Sequence, residues 1–412
     1  MTNAVDPLHS RPAGTARRWQ LAHGQAAVDW MRSSGVARRM LDDICQAVET
    51  TVRFLLGDSA DRARDVLEEY PRVLRCCDQL TFDEPAQALA YTILHLPDRY
   101  CRMFQVLERL LTSGRLPIGK SDGFAAVDIG AGPGPGIFAI RSFYAALAHY
   151  VDLHDPSWPV ATIGRSDVVE RGQAMPFVMH HFAEALVAAE RGQPDYGRGD
   201  QTEPSPCVKE LGESAIPFGA RYDDFAVLDI PGEHHAARRR VAAELYDEDG
   251  LELSWEGVNR LAYQERINRP SAYALALMMN FLTPGSDALA LFSEAIDRLM
   301  ARALVPGGTI LVLGAVSKDY QESYRKLDSR AEAMGLTMVD GFDRPLQAGY
   351  RPDELAAIGG LTRRMWHQLE ALAGDVSPVK DELQRGSAED IFDESVPFSL
   401  PSFQVRAYRR GA

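Results

Sequence analysis

The sequence predicts an α/β protein: a mostly parallel sheet flanked by helices, preceded by an all-helical region and interrupted by an insertion. Three observations carry this. From residue 123 onward, short apolar runs alternate with stretches of helical apolar spacing, the pattern of strands buried on both faces by crossover helices. Before that point, apolar residues recur at three- and four-residue intervals with no strand-like alternation. Between residues 193 and 268 both patterns are lost.

In chain order, residues 1–18 are rich in Pro, Ser, Thr and Arg without periodicity and are expected to form a loose tail. Residues 19–120 are expected to be an N-terminal helical domain, built on "AVDWMRSSGVARRMLDDICQAVETTVRFLL", "ARDVLEEYPRVLRCCDQL" and "PAQALAYTILHLPDRYCRMFQVLERLL". Pro97 lies inside the last run and is expected to kink or split it, because its ring clashes with the preceding turn and it brings no N–H. Residues 121–412 are expected to form the core. Here "FAAVDIG", "VATIGRSDVVE", "AYALALMMNFL", "GGTILVLGAV" and "PSFQVRAYRR" read as strands. The runs "IFAIRSFYAALAHY", "MPFVMHHFAEALVAAE", "DALALFSEAIDRLMARAL" and "YRKLDSRAEAMG" read as helices. The insertion, about 193–268, is expected to act as a lid and to contain one further sheet strand within "DDFAVLDI".

Composition bounds the function. The chain has 412 residues and a formal net charge of -14, which argues against nucleic-acid binding, since that draws on Lys and Arg releasing phosphate counterions. Five cysteines (Cys45, Cys76, Cys77, Cys101 and Cys207) form no CxxC pair, so neither a zinc site nor a disulfide framework is expected, and a reducing cytoplasm fits. No stretch approaches the roughly 20 apolar residues of a membrane span. A soluble intracellular protein is the expectation, and oligomeric state is not readable.

The most informative stretch is "VDIGAGPGPG" at the end of the first strand. A phosphate-cradling P-loop requires Lys and a hydroxyl residue after its glycines, whereas Gly136 is followed by Ile137, Phe138 and Ala139. Gly130, Gly132, Gly134 and Gly136 miss the dinucleotide spacing, and Pro133 and Pro135 remove two N–H donors that a pyrophosphate would use. A ligand without phosphate suits the loop better. S-adenosylmethionine (SAM) is one: its ammonium calls for a carboxylate, which Asp128 supplies, and glycines let the backbone approach closely.

On these residues the sequence resembles the class I SAM-dependent methyltransferases. "VDIGAGPG" is similar to their first motif, "DVVERGQAM" to the acid-ended second strand, "MMNFLTPG" to the fourth strand and its loop, and "ALVPGGTILVLGAV" to the turn and fifth strand. The resemblance implies a Rossmann-like fold with a seven-stranded sheet. It implies cofactor contacts from Asp128, Gly130, Ala131, Gly132, Gly134, Glu170, Asn280 and Phe281, with Thr283 facing ligand or acceptor. Glu170 is the acid expected on the ribose, and Asp152 and Asp155 are alternatives because "VDLHDPSWP" lengthens the spacing. Residues 88–175 also resemble methyltransferase-like proteins of the bacterial and mitochondrial small ribosomal subunit, a family that commonly carries iron–sulfur cysteines absent here.

His95, Arg99 and Tyr100 flank Pro97 just before the core and are the candidates for acceptor recognition or proton removal. His180 and His181 are expected to be surface or packing residues on a helix. "DIPGEHH" gathers Asp229, Glu233, His234 and His235, but only Asp229 and Glu233 have a ligating i, i+4 spacing, so no metal site is expected. The function expected is methyl transfer from SAM to a small-molecule acceptor, aromatic or amino-acid-like. The alternatives are a methyltransferase or assembly factor of the small ribosomal subunit and a non-catalytic SAM-binding protein.

Overall fold

The computed structural model describes residues 13–76, 80–118, 124–158, 160, 163–170, 172, 174–190, 192, 218–221, 273–283, 288–291, 293–316, 318–342, 350–386, 388 and 391–411. Most of the expected insertion, including Asp229, Glu233, His234 and His235, lies outside them, as does "DDFAVLDI".

Four helices precede the sheet: α1 (Ala13–Ser33), α2 (Val36–Leu56), α3 (Ala60–Cys76) and α4 (Pro85–Thr112). The first corrects the expected tail, since α1 begins at Ala13, and Ala16 is already buried. It is fixed to the end of α4 by Gln20, whose amide donates to the Leu116 carbonyl at 2.9 Å and accepts the Leu116 N–H at 3.0 Å. The long apolar run after residue 27 is two helices because Gly35 takes φ +77°, a left-handed conformation that ends α1 and starts α2.

The helix α4 is the spine of this layer. Its buried residues occupy nearly every face, as expected of a helix packed on all sides, and it contacts α1, α2, α3 and the sheet's first crossover helix. Pro97 does not split it; α4 runs as one helix of 28 residues through the proline, with tertiary packing on every side offsetting the lost hydrogen bond.

The sheet is built from β1 (Phe124–Ile129), β2 (Ile163–Glu170), β3 (Phe218–Arg221), β4 (Tyr273–Met279), β5 (Leu304–Ala315), β6 (Leu336–Met338) and β7 (Phe403–Arg410). Their order is β3-β2-β1-β4-β5-β7-β6, with β1 to β5 parallel and β7 antiparallel to both its neighbours. The architecture is Rossmann-like α/β. Strand β3 lies upstream of the segment expected to supply it. Strand β5 begins before Pro306 and Gly307, and the register with β4 shifts there, so the expected turn is a bulge within the strand.

Crossover helices α5 (Pro135–His154) and α6 (Ala174–Glu190) pack on one face, on which α1–α4 are layered in turn. The helix Pro352–Ala373, between β6 and β7 in sequence, leaves the sheet and packs on α2, α3 and α4. One continuous apolar cluster therefore joins residues expected in the N-terminal domain to the sheet's inner face. A smaller cluster, including Val127, Ala276, Val312 and Tyr324, fills the other face beneath the helix Lys318–Ala333.

Candidate active site

In an open parallel sheet, ligands bind beyond the carboxyl ends of the strands where the strand order reverses. Here that point lies between β1 and β4, which pair directly: Asp128 stands opposite Leu277. The chain leaves β1 through Gly130, Gly132 and Gly134, with φ of +67°, +57° and +86°, and enters α5 with Pro135 in its first turn. At Gly130 a side chain is excluded twice, by its φ and by the Phe281 ring, which lies 2.7 Å from where a Cβ would be. Phe281 is thus the floor of the glycine turn.

Asp128 is fully buried, and neither carboxylate oxygen accepts a hydrogen bond from the described residues. Burial, and then the nearby charge of Glu170, pushes its carboxyl well above the usual carboxylate range. The carboxylate lies against Gly136, where an added Cβ would fall 2.5 Å from Oδ2. Glu170, at the end of β2 and also buried, accepts the N–H of Gly132 at 2.6 Å and that of Gly172 at 2.8 Å. Asn280, at the end of β4, has φ +54°, and its buried Oδ1 has no partner among the described residues. Two carboxylates thus meet at one glycine turn, and a buried amide oxygen stands at the end of the neighbouring strand β4. Such a site takes a ligand that brings positive charge and N–H or O–H donors.

The sequence-predicted residues separate accordingly. Asp128, Gly130, Ala131, Gly132, Gly134, Glu170, Asn280 and Phe281 share the turn and the strand ends around it. Asp152 and Asp155 lie at the far end of α5, roughly 30 Å along a 20-residue helix from the glycine turn, and Asp155 accepts a hydrogen bond from Trp19. Past Asn280, Leu282 and Thr283 line a cleft of about 850 Å³, together with Glu322, Ser323, Lys326 and Arg330.

Of the three residues around Pro97, His95 meets the Tyr91 ring beside the glycine turn. The His95 ring lies 4.9 Å from that of Tyr91, but it is fully buried, and burial with the Arg99 charge pushes its pKa down to about 3. Arg99 is buried 4.0 Å from Asp98, within an ionic cluster in which Arg102 donates to Asp98 at 2.8 Å and to Tyr350 at 2.8 Å. Burial alone would raise the Asp98 carboxyl, but Arg102, Arg99 and the Tyr350 hydroxyl together hold it below the usual range. Tyr100 packs on Phe104, which in turn meets Phe143 of α5.

His180 pairs with Glu184 at 3.0 Å, and His181 lies against the rings of Phe54 and Phe177, consistent with packing and surface roles. Among the described residues no group of three His, Cys, Asp or Glu side chains is arranged to hold a metal ion, and no helix is long and apolar enough to cross a membrane.

Sequence reasoning missed Tyr91 and Phe82. A Cβ on Gly132 would meet the Tyr91 ring at 3.5 Å, and the Phe82 ring meets Tyr91 edge-on at 5.0 Å. The signal available was the i, i+4 spacing of Tyr91 and His95, which puts two rings on one face of α4.

No protein-family model and no curated protein matches this chain. Among solved structures it is similar to the YcgJ protein of Bacillus subtilis, at 12% identity, with 76% of this chain and 99% of that chain covered and a TM-score of 0.31. It is similar also to phosphoethanolamine N-methyltransferase 2 of Haemonchus contortus, at 13% identity over 84% of this chain and 61% of that one, TM-score 0.36. A third is a loganic acid methyltransferase bound to S-adenosylhomocysteine, at 10% identity over 79% and 96%, TM-score 0.34.

Proposed function

We propose that this protein is a SAM-dependent methyltransferase acting on a small-molecule acceptor. The observation that carries the proposal is the Asp128 carboxylate, buried with both oxygens unpartnered beside a glycine turn that two prolines deprive of phosphate donors. An isolated buried carboxylate is costly, and a ligand ammonium offsets that cost. Glu170, which holds Gly132 and Gly172 at the end of β2, is the acid proposed to meet the ribose hydroxyls. Asn280 offers a further acceptor. SAM meets these demands with an ammonium, a diol and no phosphate, and when bound it supplies an electrophilic methyl group.

The protein's own share is to orient an acceptor nucleophile and exclude water. The cleft past Thr283 is the proposed entry for that acceptor. The formal charge of -14 favours a small molecule over ribosomal RNA.

Titration calorimetry with SAM and S-adenosylhomocysteine tests the assignment. Micromolar binding is expected in the wild-type protein, and Asp128→Asn is expected to lose at least tenfold in SAM affinity. Because Asn carries no charge into the buried site, this variant should be no less stable than wild type without ligand. Absence of cofactor binding in the wild-type protein overturns the assignment. Binding that responds to added ribosomal RNA, and not to a small-metabolite extract, would replace the acceptor class.

A further inference from the structure

We propose that Tyr91, on α4, is the wall of the site that meets the cationic sulfonium, so that this ring distinguishes SAM from its neutral thioether product. The inference rests on the SAM assignment above and adds to it a residue from outside the sheet.

The position follows from two anchors and the cofactor's covalent order. The sulfonium is bonded on one side to the carbon chain carrying the ammonium, which Asp128 answers, and on the other to the ribose, which Glu170 answers. A group between those two anchors passes over the turn that joins them. On that turn, Gly132 donates to Glu170 and has Cε1, on the edge of the Tyr91 ring, as its nearest neighbour in the direction of a side chain, at 3.5 Å. An aromatic face within about 6 Å of a cation attracts it through the ring quadrupole, most strongly where water is excluded.

The surroundings of Tyr91 suit that role. Phe82 and His95 meet the ring at centroid distances of 5.0 and 4.9 Å. His95 is neutral there, its pKa pushed down to about 3 by burial and then by Arg99, so no second cation opposes the first through the ring. Phe82 has φ +56°, a strained conformation for a residue with a bulky side chain. The strain is held in place by the turn after β2: the Phe82 carbonyl accepts the Ala174 N–H at 3.2 Å, and Thr81 and Phe82 carbonyls close over Gly172 so tightly that no Cβ fits. Gly172 also donates to Glu170, so one contact chain ties the aromatic wall to the ribose anchor.

The test is calorimetry of wild type, Tyr91→Leu and Tyr91→Phe with SAM and with S-adenosylhomocysteine. Tyr91→Leu is expected to lose about tenfold in SAM affinity and less than threefold for the thioether, while Tyr91→Phe stays within threefold for both. Tyr91→Met, also non-aromatic, serves if the leucine variant does not fold. An unchanged ratio of the two affinities in a folded non-aromatic variant overturns the proposal and leaves the SAM assignment standing. Tighter binding of both ligands overturns it as well, by making Tyr91 an obstruction. A wild-type protein that binds neither ligand overturns the SAM assignment, and this proposal with it.

Discussion

Glu170 accepts the backbone N–H of Gly132 at 2.6 Å, across 38 residues of sequence, and so ties the end of β2 to the turn after β1. Its second oxygen holds Gly172 at 2.8 Å, so both ends of the carboxylate fasten backbone. The proposed ribose anchor is thus already fixed before any ligand arrives, which lowers the ordering cost of binding.

Glu170→Gln tests that arrangement. An amide offers one oxygen and one NH₂ group, so one of the two backbone N–H groups would face a donor. Hydrogen bonds to charged groups contribute about 1.5–3 kcal/mol, which corresponds to roughly 10- to 150-fold in SAM affinity. Calorimetry reads the affinity, and amide hydrogen exchange at Gly132 should accelerate in the same variant. Retained affinity with unchanged exchange would show that the carboxylate charge is dispensable.

Gly136→Ala is predicted to disable the site by crowding alone. Gly136 has an ordinary helical conformation, yet a Cβ there would meet Asp128 Oδ2 at 2.5 Å, Met279 Sδ at 2.8 Å and a Leu277 methyl at 2.9 Å. Overpacking of this kind costs typically 1–3 kcal/mol of stability. The displaced carboxylate should also lower SAM affinity by an order of magnitude or more. Urea denaturation and calorimetry on the same preparation separate the two effects, and a fully stable variant with wild-type affinity would mean that Asp128 does not need its present position.

Asp128, the glycines and Glu170 were legible in the sequence because each sits at a strand end, and an apolar run followed by an acid or a glycine marks a strand end without tertiary information. Tyr91 and Phe82 were not. They precede β1 by more than 30 residues; the packing of α4 over α5 carries Tyr91 to the turn, and the contact of the Phe82 carbonyl with Ala174 and Gly172 fixes Phe82 beside it. The burial of His95, which moves its pKa far from the ordinary value, was likewise not legible in the sequence. The helix Pro352–Ala373 escaped the sequence reading, and it carries Gly359 and Gly360 side by side, which weakens a helical signal. At Gly359 the reason is contact: the Phe398 ring lies 2.6 Å from where a Cβ would stand.

The helices that carry the site depend on a buried ion pair. Arg141 of α5 donates through both terminal nitrogens to the two oxygens of Glu190 on α6, with side chains only 5% and 4% exposed. Removing one partner of a buried pair leaves the other charge uncompensated, at about 3–5 kcal/mol. Glu190→Ala is therefore expected to lose that much in urea denaturation, and Arg141→Met with Glu190→Leu to recover most of it. A single variant within 1 kcal/mol of wild type, a loss roughly a third of the expected minimum, would show that water reaches the pair.

Asp43 of α2, half-buried near that pair, should make stability depend on pH. Its Oδ2 has no hydrogen-bond partner among the described residues, and its pKa is raised to about 7. Burial is the largest cause, followed by the charges of Glu190 and Asp42, with Arg39 and Arg141 acting in the opposite direction. An unfolded Asp titrates near 3.9, so between about pH 4 and 7 the folded state holds a proton that the unfolded state has released. The stability from this group is fully present below about pH 4, declines as pH rises, and is lost above about 7. Asp43→Asn is permanently uncharged and should match wild type at pH 5 more closely than at pH 8, where it should be the more stable protein. Urea denaturation at pH 5, 6, 7 and 8 measures the difference between the two slopes; parallel slopes would show that Asp43 is not the group that titrates.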